Sequence, residues 1–483
     1  MLFNSIEFVI FLPVVFIIYW FLLKENHKIQ NLFIVVASYF FYSCWNWRFL
    51  SLIFLSSTID YLVGLGMNKF EDNNKRKILL LISICVNIGF LAFFKYFNFF
   101  AKNFADAFTL LGKHIEISRL NIILPVGISF YTFQSLSYSI DVYRRKIQPT
   151  KDAIAYYAFV SFFPQLVAGP IERAANLLPQ FTKPRNFDYT NAVDGCRQIL
   201  LGLFKKIVIA DNAAIFADEI FGNYSSYSGS TLLLGSIFFA FQIYGDFSGY
   251  SDIAIGSARL FGFRLMQNFA YPYFSRDIAE FWRRWHISLT TWFRDYVYIP
   301  LGGSRGSTGM KIRNTFIIFL VSGFWHGANW TYIIWGALNA IYFLPLLLLH
   351  KNRRYTDIVA KGKLFATTKE YFQMGFTFIL TVFAWIFFRS ESVNDAFIFI
   401  KRIFSSTFFS LSELKIKQIT PVNYFLILSV FLTIEWLQRD EEHAFQFNNI
   451  LISKYIRISF YYLVVVTIIW FAGTPQEFIY FQF

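Results

Sequence analysis

The stretch 322–336 reads SGFWHGANWTYIIWG. It is mostly apolar and aromatic and suits a lipid environment, yet it places the imidazole of His326 between Trp325 and Gly327. An apolar run of this kind indicates a membrane helix. An ionisable side chain at membrane depth is by default a functional candidate. One short segment therefore indicates both a fold class and a place to look for chemistry.

The rest of the chain shares this character. Of its 483 residues, 56% are hydrophobic, 22% aromatic and 15% charged, whereas a soluble domain carries about 25% charged residues. The apolar runs are continuous rather than alternating, which favours helices over a membrane β-barrel. We therefore predict an all-α polytopic membrane protein with about 10–12 membrane helices. The apolar runs are 6–23, 31–47, 49–66, 78–97, 122–140, 231–247, 314–325, 331–349, 372–388, 421–437 and 458–472.

The formal net charge of +14 is explained by cytoplasmic loops rich in Lys and Arg, of which 67–77 and 143–151 are the clearest. Lys24 and Lys28 follow the first apolar run, which predicts a retained helix with its N-terminus outside rather than a cleaved signal. An anionic cytosolic ligand is a compatible second explanation. Nucleic acid binding is excluded because no basic domain stands apart from the membrane segments. The basic stretch 98–121 is predicted to lie along the membrane surface.

The middle of the chain, 153–330, differs from both ends because Gly, Pro and charged residues interrupt its apolar runs. The segment 159–173, FVSFFPQLVAGPIER, is split by prolines and is predicted to be re-entrant. The segment 275–306 is aromatic and basic and too charged to span, so we expect an interfacial or half-inserted helix.

The neighbours of His326 suggest a polar pocket. Gly323 and Gly327 are expected to leave open space beside the ring, and Ser322 and Asn329 are expected on the same helical face. An imidazole with an ordinary pKa near 6.5 is suited to move a proton at neutral pH. The alternative is a packing residue bonded to a neighbouring helix.

His286, in FWRRWHIS, has two interpretations. It is either an interfacial residue among tryptophans or a second site residue that the amphipathic segment folds in toward His326. No pair of histidines has metal-site spacing, so no metal is predicted. Four further histidines are predicted to be solvated, namely His27, His114, His350 and His443.

Charged residues near the two histidines also have two interpretations. Asp246 and Asp252, in 242–256, are either buried structural partners or proton-relay carboxylates. The basic cluster between the histidines is either a positive-inside loop or a cradle for the phosphates of a cytosolic ligand. Neither a P-loop nor a serine-nucleophile motif occurs. The cluster contains Arg283, Arg284, Arg294, Arg305, Lys311 and Arg313.

These segments together resemble the membrane-bound O-acyltransferase (MBOAT) family, and most closely its bacterial branch that acetylates alginate and other exopolysaccharides. The resemblance covers nearly the whole chain. It rests on PQLVAGPIER (164–173), YGDFSGYSDIAIG (244–256), FWRRWHISLTTWFRDYVYIPLGG (281–303), FWHGANWTYIIWG (324–336), AWIFFR (384–389) and FIYFQF (478–483).

The resemblance implies a ring of helices around a thin central funnel with re-entrant segments, in a single domain over 1–483 with a catalytic core over 153–350. It implies that His326 is the catalytic base and His286 the second histidine of the pair. On that basis His286 or Asn329 orients the ring or stabilises the oxyanion. The remaining expected substrate-binding residues are Arg283 and Arg284, at the phosphates of coenzyme A, and Trp325.

The resemblance also implies the reactants. Acetyl-CoA or another acyl thioester is the expected donor, with no bound cofactor. The expected acceptor is an extracytoplasmic polysaccharide or an SGNH-type acetyltransferase, periplasmic or membrane-anchored, beside a multi-pass protein of the bacterial inner membrane. Alternatives are D-alanyl or peptidoglycan acyl transfer by the same fold, a polysaccharide or lipid transporter, and a non-catalytic scaffold.

Overall fold

The computed structural model describes residues 1–24, 26–114, 120–167, 169–410, 420–447, 453–473 and 476–481. Within these ranges the regular structure is helical throughout. The α-helices are α1 (Ile6–Ile17), α2 (His27–Asn46), α3 (Leu50–Lys69), α4 (Asn73–Leu91), α5 (Phe97–Leu110), α6 (Ile128–Tyr143), α7 (Ala153–Ser161), α8 (Phe163–Leu166), α9 (Ala174–Phe181), α10 (Tyr189–Leu203), α11 (Asp211–Gly222), α12 (Gly229–Leu260), α13 (Ile278–Arg284), α14 (Ile287–Phe293), α15 (Thr308–His326), α16 (Trp330–Leu348), α17 (Thr368–Arg389), α18 (Val393–Ile403), α19 (Pro421–Leu437) and α20 (Lys454–Phe471).

Short polar side chains fix where several helices begin, because they bond backbone N–H groups that the helix leaves unpaired. Ser307 caps α15 by accepting from the Met310 N–H. At α17, Thr367 and Glu370 form a reciprocal capping box. These caps define where α15 and α17 begin.

Six helical segments in the described ranges are long and apolar enough to cross a membrane, and two shorter apolar helices, Ile6–Leu22 and Pro421–Leu437, accompany them. The prediction of an all-helical, multi-pass membrane protein is therefore confirmed. The arrangement in a ring and the total number of spans stay predictions. The six segments are His27–Lys69, Asn73–Leu110, Gly229–Leu260, Trp330–Leu348, Thr368–Arg389 and Lys454–Phe471.

The segment 159–173 is broken, as its prolines suggest. Helix α7 ends at Ser161, and the single turn α8 begins at Phe163 and ends at Leu166. The described residues between Leu166 and α9, namely 167 and 169–173, are not helical. In the stretch 98–121, helix α5 extends to Leu110, and residues 115–119 lie outside the described residues. Two other motifs also contain residues outside the described ranges: Ala168 in 164–173, and the last two residues of 478–483.

The packing of the chain defines two compact units: unit 1 comprises Met1–Ala192 with Ser257–Met266, and unit 2 comprises Val193–Gly256 with Gln267–Phe483. In unit 1, the Trp20 indole donates to the Leu260 carbonyl at 2.9 Å. Unit 2 contains an extensive aromatic core and all of the predicted site residues.

Within unit 2, glycines let the backbones of α10 and α12 come into direct contact. A Cβ atom on Gly202 would lie 2.5 Å from the Gly249 carbonyl, and one on Gly256 would lie 2.5 Å from the Gly195 carbonyl. Small residues of this kind allow close helix packing in membranes. The contact places the acidic residues of α12 beside the chain that follows α10.

Candidate active site

His326 is the last residue of α15, and its side chain is 4% exposed. Helix α16 packs tightly against α15, since a Cβ atom on Gly323 would overlap the Tyr332 carbonyl. A Cβ atom on Gly327 would overlap the Tyr332 ring. The expectation of open space beside these glycines is therefore wrong: the neighbouring helix fills it.

Asn329 lies outside α15, because the helix ends at His326 and Gly327 is extended. Its carboxamide caps α16 through the Thr331 N–H at 3.1 Å and donates to the Glu391 carbonyl at 2.9 Å. The expectation that Asn329 shares a helical face with His326 is therefore wrong, since that spacing holds only in a continuous helix.

Aromatic rings surround the His326 imidazole. The ring centroids of Trp325, Trp335, Phe388 and Tyr480 lie 4.9, 5.1, 5.2 and 5.7 Å from it. Such walls exclude water and strengthen electrostatic interactions at the imidazole.

His286 lies between the short helices α13 and α14 in a left-handed backbone conformation, with φ of 43°. The segment 268–270 runs beside it: the Ala270 N–H donates to the Arg284 carbonyl at 3.0 Å, and the Ile287 N–H donates to the Asn268 carbonyl at 2.9 Å. These bonds hold the backbone on both sides of His286 in a conformation that is uncommon for residues other than glycine.

The Asn268 side chain completes this support. It accepts from the Ser288 hydroxyl at 2.9 Å and donates to the Ser251 hydroxyl on α12 at 3.0 Å. His286 itself is 1% exposed, and burial lowers its pKa to about 3. Its imidazole is therefore neutral at physiological pH.

The structure brings the two histidines together around shared neighbours. The His286 ring lies 6.0 Å from the Trp325 ring and 6.4 Å from the Tyr480 ring, both of which also contact His326. His286 is thus a buried residue of the same cluster rather than an interfacial one.

Tyr480 was not predicted as a site residue. It belongs to the C-terminal segment 476–481, which lies against α12, where the Tyr480 ring is 4.3 Å from the Phe247 ring. Tyr480 lies in the motif at 478–483, which the sequence analysis quoted, but the composition of this motif does not indicate that it lies near His326. Only the tertiary packing does so.

A cavity of ≈ 340 Å³ is lined by Ile287, next to His286 in the chain, and by Ser322, four residues before His326, but by neither histidine. Its wall includes Thr315, Phe319 and Ser322, which follow one face of α15 toward His326 one turn further on. Its lining in the described part of the chain includes guanidinium groups and no carboxylate. It comprises Ala279, Trp282, Arg283, Ile287, Leu289, Thr290, Thr291, Phe293, Arg294, Tyr298, Ser304, Thr315, Ile318, Phe319, Ser322, Phe343, Asn352 and Arg353.

The two arginines expected at this site have different surroundings. Arg283 lines the cavity and donates to the carbonyls of Asn352 and Tyr355 at 2.8 and 2.6 Å. Arg284 is outside the lining and forms an ion pair with Glu280 at 2.9 Å. Arg283 thus bonds neutral carbonyl groups beside the cavity, whereas Arg284 is paired with a carboxylate.

Asp246 and Asp252 each form a buried ion pair with a lysine that the sequence analysis did not single out. Lys206 lies 2.9 Å from Asp246, and Lys205 lies 3.0 Å from Asp252. The two adjacent lysines at 205–206, within an apolar stretch, were the available signal. These contacts support the structural interpretation of both aspartates.

His443 is buried rather than solvated. Its side chain is 2% exposed, and its Nε2 lies 3.1 Å from the Asp194 carboxylate, so the prediction of a solvated histidine is wrong. The polar residues around it suggested a loop in water, but that loop packs against α10. His114 and His350 are exposed and His27 is half-buried.

These features describe a polytopic membrane protein with two buried histidines beside an arginine-lined cavity. The membrane-bound O-acyltransferase (MBOAT) family model matches residues 6–388, and the chain belongs to this family. It is therefore an O-acyltransferase.

Its relatives carry acyl groups to different polymers. A probable alginate O-acetylase, AlgI, of Pseudomonas putida is 38% identical over 439 residues, 90% of this chain and 86% of the relative. A peptidoglycan O-acetyltransferase of Helicobacter pylori is 34% identical over 533 aligned positions, 100% of this chain and 98% of the relative. A teichoic acid D-alanyltransferase of Bacillus subtilis is 28% identical over 258 residues, 49% of this chain and 62% of the relative.

Proposed function

We propose that this protein transfers an acetyl group from acetyl-CoA, or a similar cytosolic acyl thioester, to a hydroxyl on the outer side of the bacterial inner membrane. The acceptor is a polysaccharide or a partner SGNH-type acetyltransferase that then acetylates the polysaccharide. The names of two relatives, a probable alginate O-acetylase and a peptidoglycan O-acetyltransferase, support acetyl as the acyl group.

The observation that carries this proposal is the position of His326 at the end of the α15 face that lines the cavity. One helical turn, about 6 Å of rise, separates Ser322 from His326. A thioester held in the cavity would thus lie close to the imidazole. His326 takes the proton from the acceptor hydroxyl as that oxygen attacks the thioester carbonyl, and the thiolate leaves.

His286 is the better placed of the two groups expected to assist. A neutral imidazole donates one hydrogen bond, which suits the oxyanion that forms as the hydroxyl attacks. Trp325, between the two histidines, then forms part of the wall around the reacting carbonyl. Asn329 is engaged by the α16 N-terminus and the Glu391 carbonyl, so its contribution is to hold the loop after His326.

Donor binding is the proposed role of Arg283. Its guanidinium lines the cavity, and arginine pairs well with phosphate. Arg353 adds positive charge to the same lining, whereas Arg294 forms an ion pair with Asp295 at 2.8 Å. Arg284, paired with Glu280, acts by fixing α13 rather than by contacting the donor.

Peptidoglycan is the second candidate acceptor, because the Helicobacter pylori relative matches this chain over its whole length. Transport and scaffold roles are set aside, because the chain belongs to an acyltransferase family. Hydrolysis of acetyl-CoA by the purified protein is an additional check that a transporter would fail.

The test is ester-linked acetate on surface glycans of cells that carry His326→Ala, measured against wild type, with membrane levels of both proteins quantified. His350→Ala, at an exposed histidine, is the matched control. We expect acetate to disappear for His326→Ala and to persist for His350→Ala. Unchanged acetate in His326→Ala cells would refute the proposed base.

A further inference from the structure

Two adjacent lysines, Lys205 and Lys206, are buried in the π-helical turn that continues α10. A buried ammonium group is costly unless it is paired, and each lysine has two carboxylate partners. Lys205 lies 3.0 Å from Asp252 and 3.3 Å from Glu435. The two lysines are thus chemically matched, and their surroundings can be compared directly.

Lys206 forms the cluster that reaches the C-terminal segment. Its ammonium group lies 2.7 Å from Asp211 and 2.9 Å from Asp246. It also donates to the Gln476 carbonyl at 3.0 Å. Asp246 in turn accepts from the Ile479 N–H at 2.6 Å. The ion pair therefore holds segment 476–481 at two backbone positions.

Aromatic contacts with the same helix complete the attachment. On α12, the Tyr250 ring lies 4.2 Å from the Phe478 ring, and the Phe247 ring lies 4.3 Å from the Tyr480 ring. Phe478 and Ile479 are fully buried. The segment so held presents Tyr480 at 5.7 Å from the His326 ring.

The Lys205 cluster satisfies its carboxylates without this segment. Gln198 donates to Asp252 at 2.9 Å, and the Tyr244 hydroxyl donates to Glu435 at 2.6 Å. Each cluster has one lysine and two carboxyl groups, whose oxygens accept more hydrogen bonds than one ammonium group can donate, so each cluster needs further hydrogen-bond donors. Side chains supply them around Lys205, whereas the Ile479 N–H supplies one in the Lys206 cluster.

We propose that Lys206 and Asp246 are positioning residues for acyl transfer: they hold segment 476–481 against α12 and thereby set Tyr480 against His326 and His286. The proposal rests on the proposed function in taking these histidines as the reacting site. The family model matches residues 6–388 and does not include this segment.

The test compares two double variants. Lys206→Met/Asp246→Leu replaces one charged pair with apolar side chains, which buried positions tolerate better than a single unpaired charge. Lys205→Met/Asp252→Leu is the matched control. Both are made in the full chain and in a chain that lacks 476–483, and turnover of acetyl-CoA is measured per mole of membrane-inserted protein.

We expect the Lys206 pair variant to lose at least about tenfold in turnover, because a misplacement of about 1 Å costs on the order of 100-fold. In the shortened chain it should cause no further loss, since its effect passes through the missing segment. The Lys205 pair variant should change turnover by the same factor in both chains. Equal further loss from the Lys206 variant in the shortened chain would overturn the proposal.

A second measurement reports attachment without activity. Carboxypeptidase release of the C-terminal residues from detergent-solubilised protein should be faster for the milder variants Lys206→Gln and Asp246→Asn than for wild type, and unchanged for Lys205→Gln. Equal release rates in all four proteins would refute the attachment. If release rises but His326→Ala retains activity, the attachment stands and the proposed function fails.

Discussion

The hairpin of α15 and α16 and the broken segment from 278 to 298 bury one histidine each by different means. His326 ends a regular 19-residue helix whose neighbour contacts it through glycines. His286 lies in a left-handed break between two seven-residue helices, held by backbone and side-chain bonds to Asn268. The first region depends on close packing and the second on a hydrogen-bond network.

This difference suits two tasks. The proposed base, His326, needs a fixed ring position for proton transfer, and helix packing provides it. His286 lies in a segment too charged to span the membrane. Its left-handed backbone conformation costs on the order of 1–3 kcal/mol, and the surrounding hydrogen bonds offset this cost. We therefore expect overpacking to destabilise the hairpin of α15 and α16, and the loss of hydrogen bonds to displace His286 in the segment from 278 to 298.

The largest effect is expected in the hairpin. Gly323→Val places methyl groups where the Tyr332 carbonyl lies, and overpacking of this kind costs about 1–3 kcal/mol or more. We expect lower membrane abundance, a lower unfolding temperature and loss of acetyl transfer. Gly375→Val is the control, since a Cβ atom there meets nothing within 4 Å. A stable, active Gly323→Val protein would show that the hairpin tolerates separation.

The next effect distinguishes the hydrogen-bond network from the packing. Asn268→Ala removes the bonds to Ser288 and Ser251 and leaves buried polar groups unpaired, at about 1–3 kcal/mol. We expect turnover to fall roughly tenfold as His286 shifts. Asn339→Ala, at a buried amide that bonds only its own helix at the Trp335 carbonyl, should lower stability but leave turnover per folded protein unchanged. Similar turnover in both variants would contradict the role of Asn268.

Acid should affect the broken segment through His286. Because burial lowers the His286 pKa to about 3, against about 6.5 in an unfolded chain, the unfolded state binds more protons between these values. This contribution to the free energy of unfolding is complete above about pH 6.5 and decreases as pH falls. The loss amounts to about 2 kcal/mol at pH 5. Unfolding temperatures in detergent should fall less steeply from pH 7.5 to 5 for His286→Asn than for wild type. Identical slopes would contradict a buried neutral imidazole.

The smallest effect concerns the cavity between the two regions. Arg283→Met removes a guanidinium from its lining, and the net contribution of one hydrogen bond is about 0.5–1.5 kcal/mol. We expect KM for acetyl-CoA to rise about tenfold with little change in kcat. Arg284→Met, paired with Glu280, should lower stability and leave KM unchanged. The reverse pattern would assign the donor contact to Arg284.

The sequence by itself determined the fold class and the family, and it indicated His326 and His286 as candidate site residues. Apolar runs of membrane length dictate helices because a bilayer offers no partner for backbone groups. His326 and His286 stand out because ionisable groups are rare in such chains. The prolines within 159–173 likewise predict a break, because proline removes a backbone donor.

Only the tertiary structure decided what surrounds those histidines. The sequence suggested space at Gly323 and Gly327, but a glycine also permits close contact, and the neighbouring helix takes that space. Asn329 does not lie on the predicted helical face because α15 ends at His326. Tyr480 lies beside His326, and Lys206 holds the segment of Tyr480, through contacts between residues far apart in the chain. Neither periodicity nor local spacing in the sequence records such contacts.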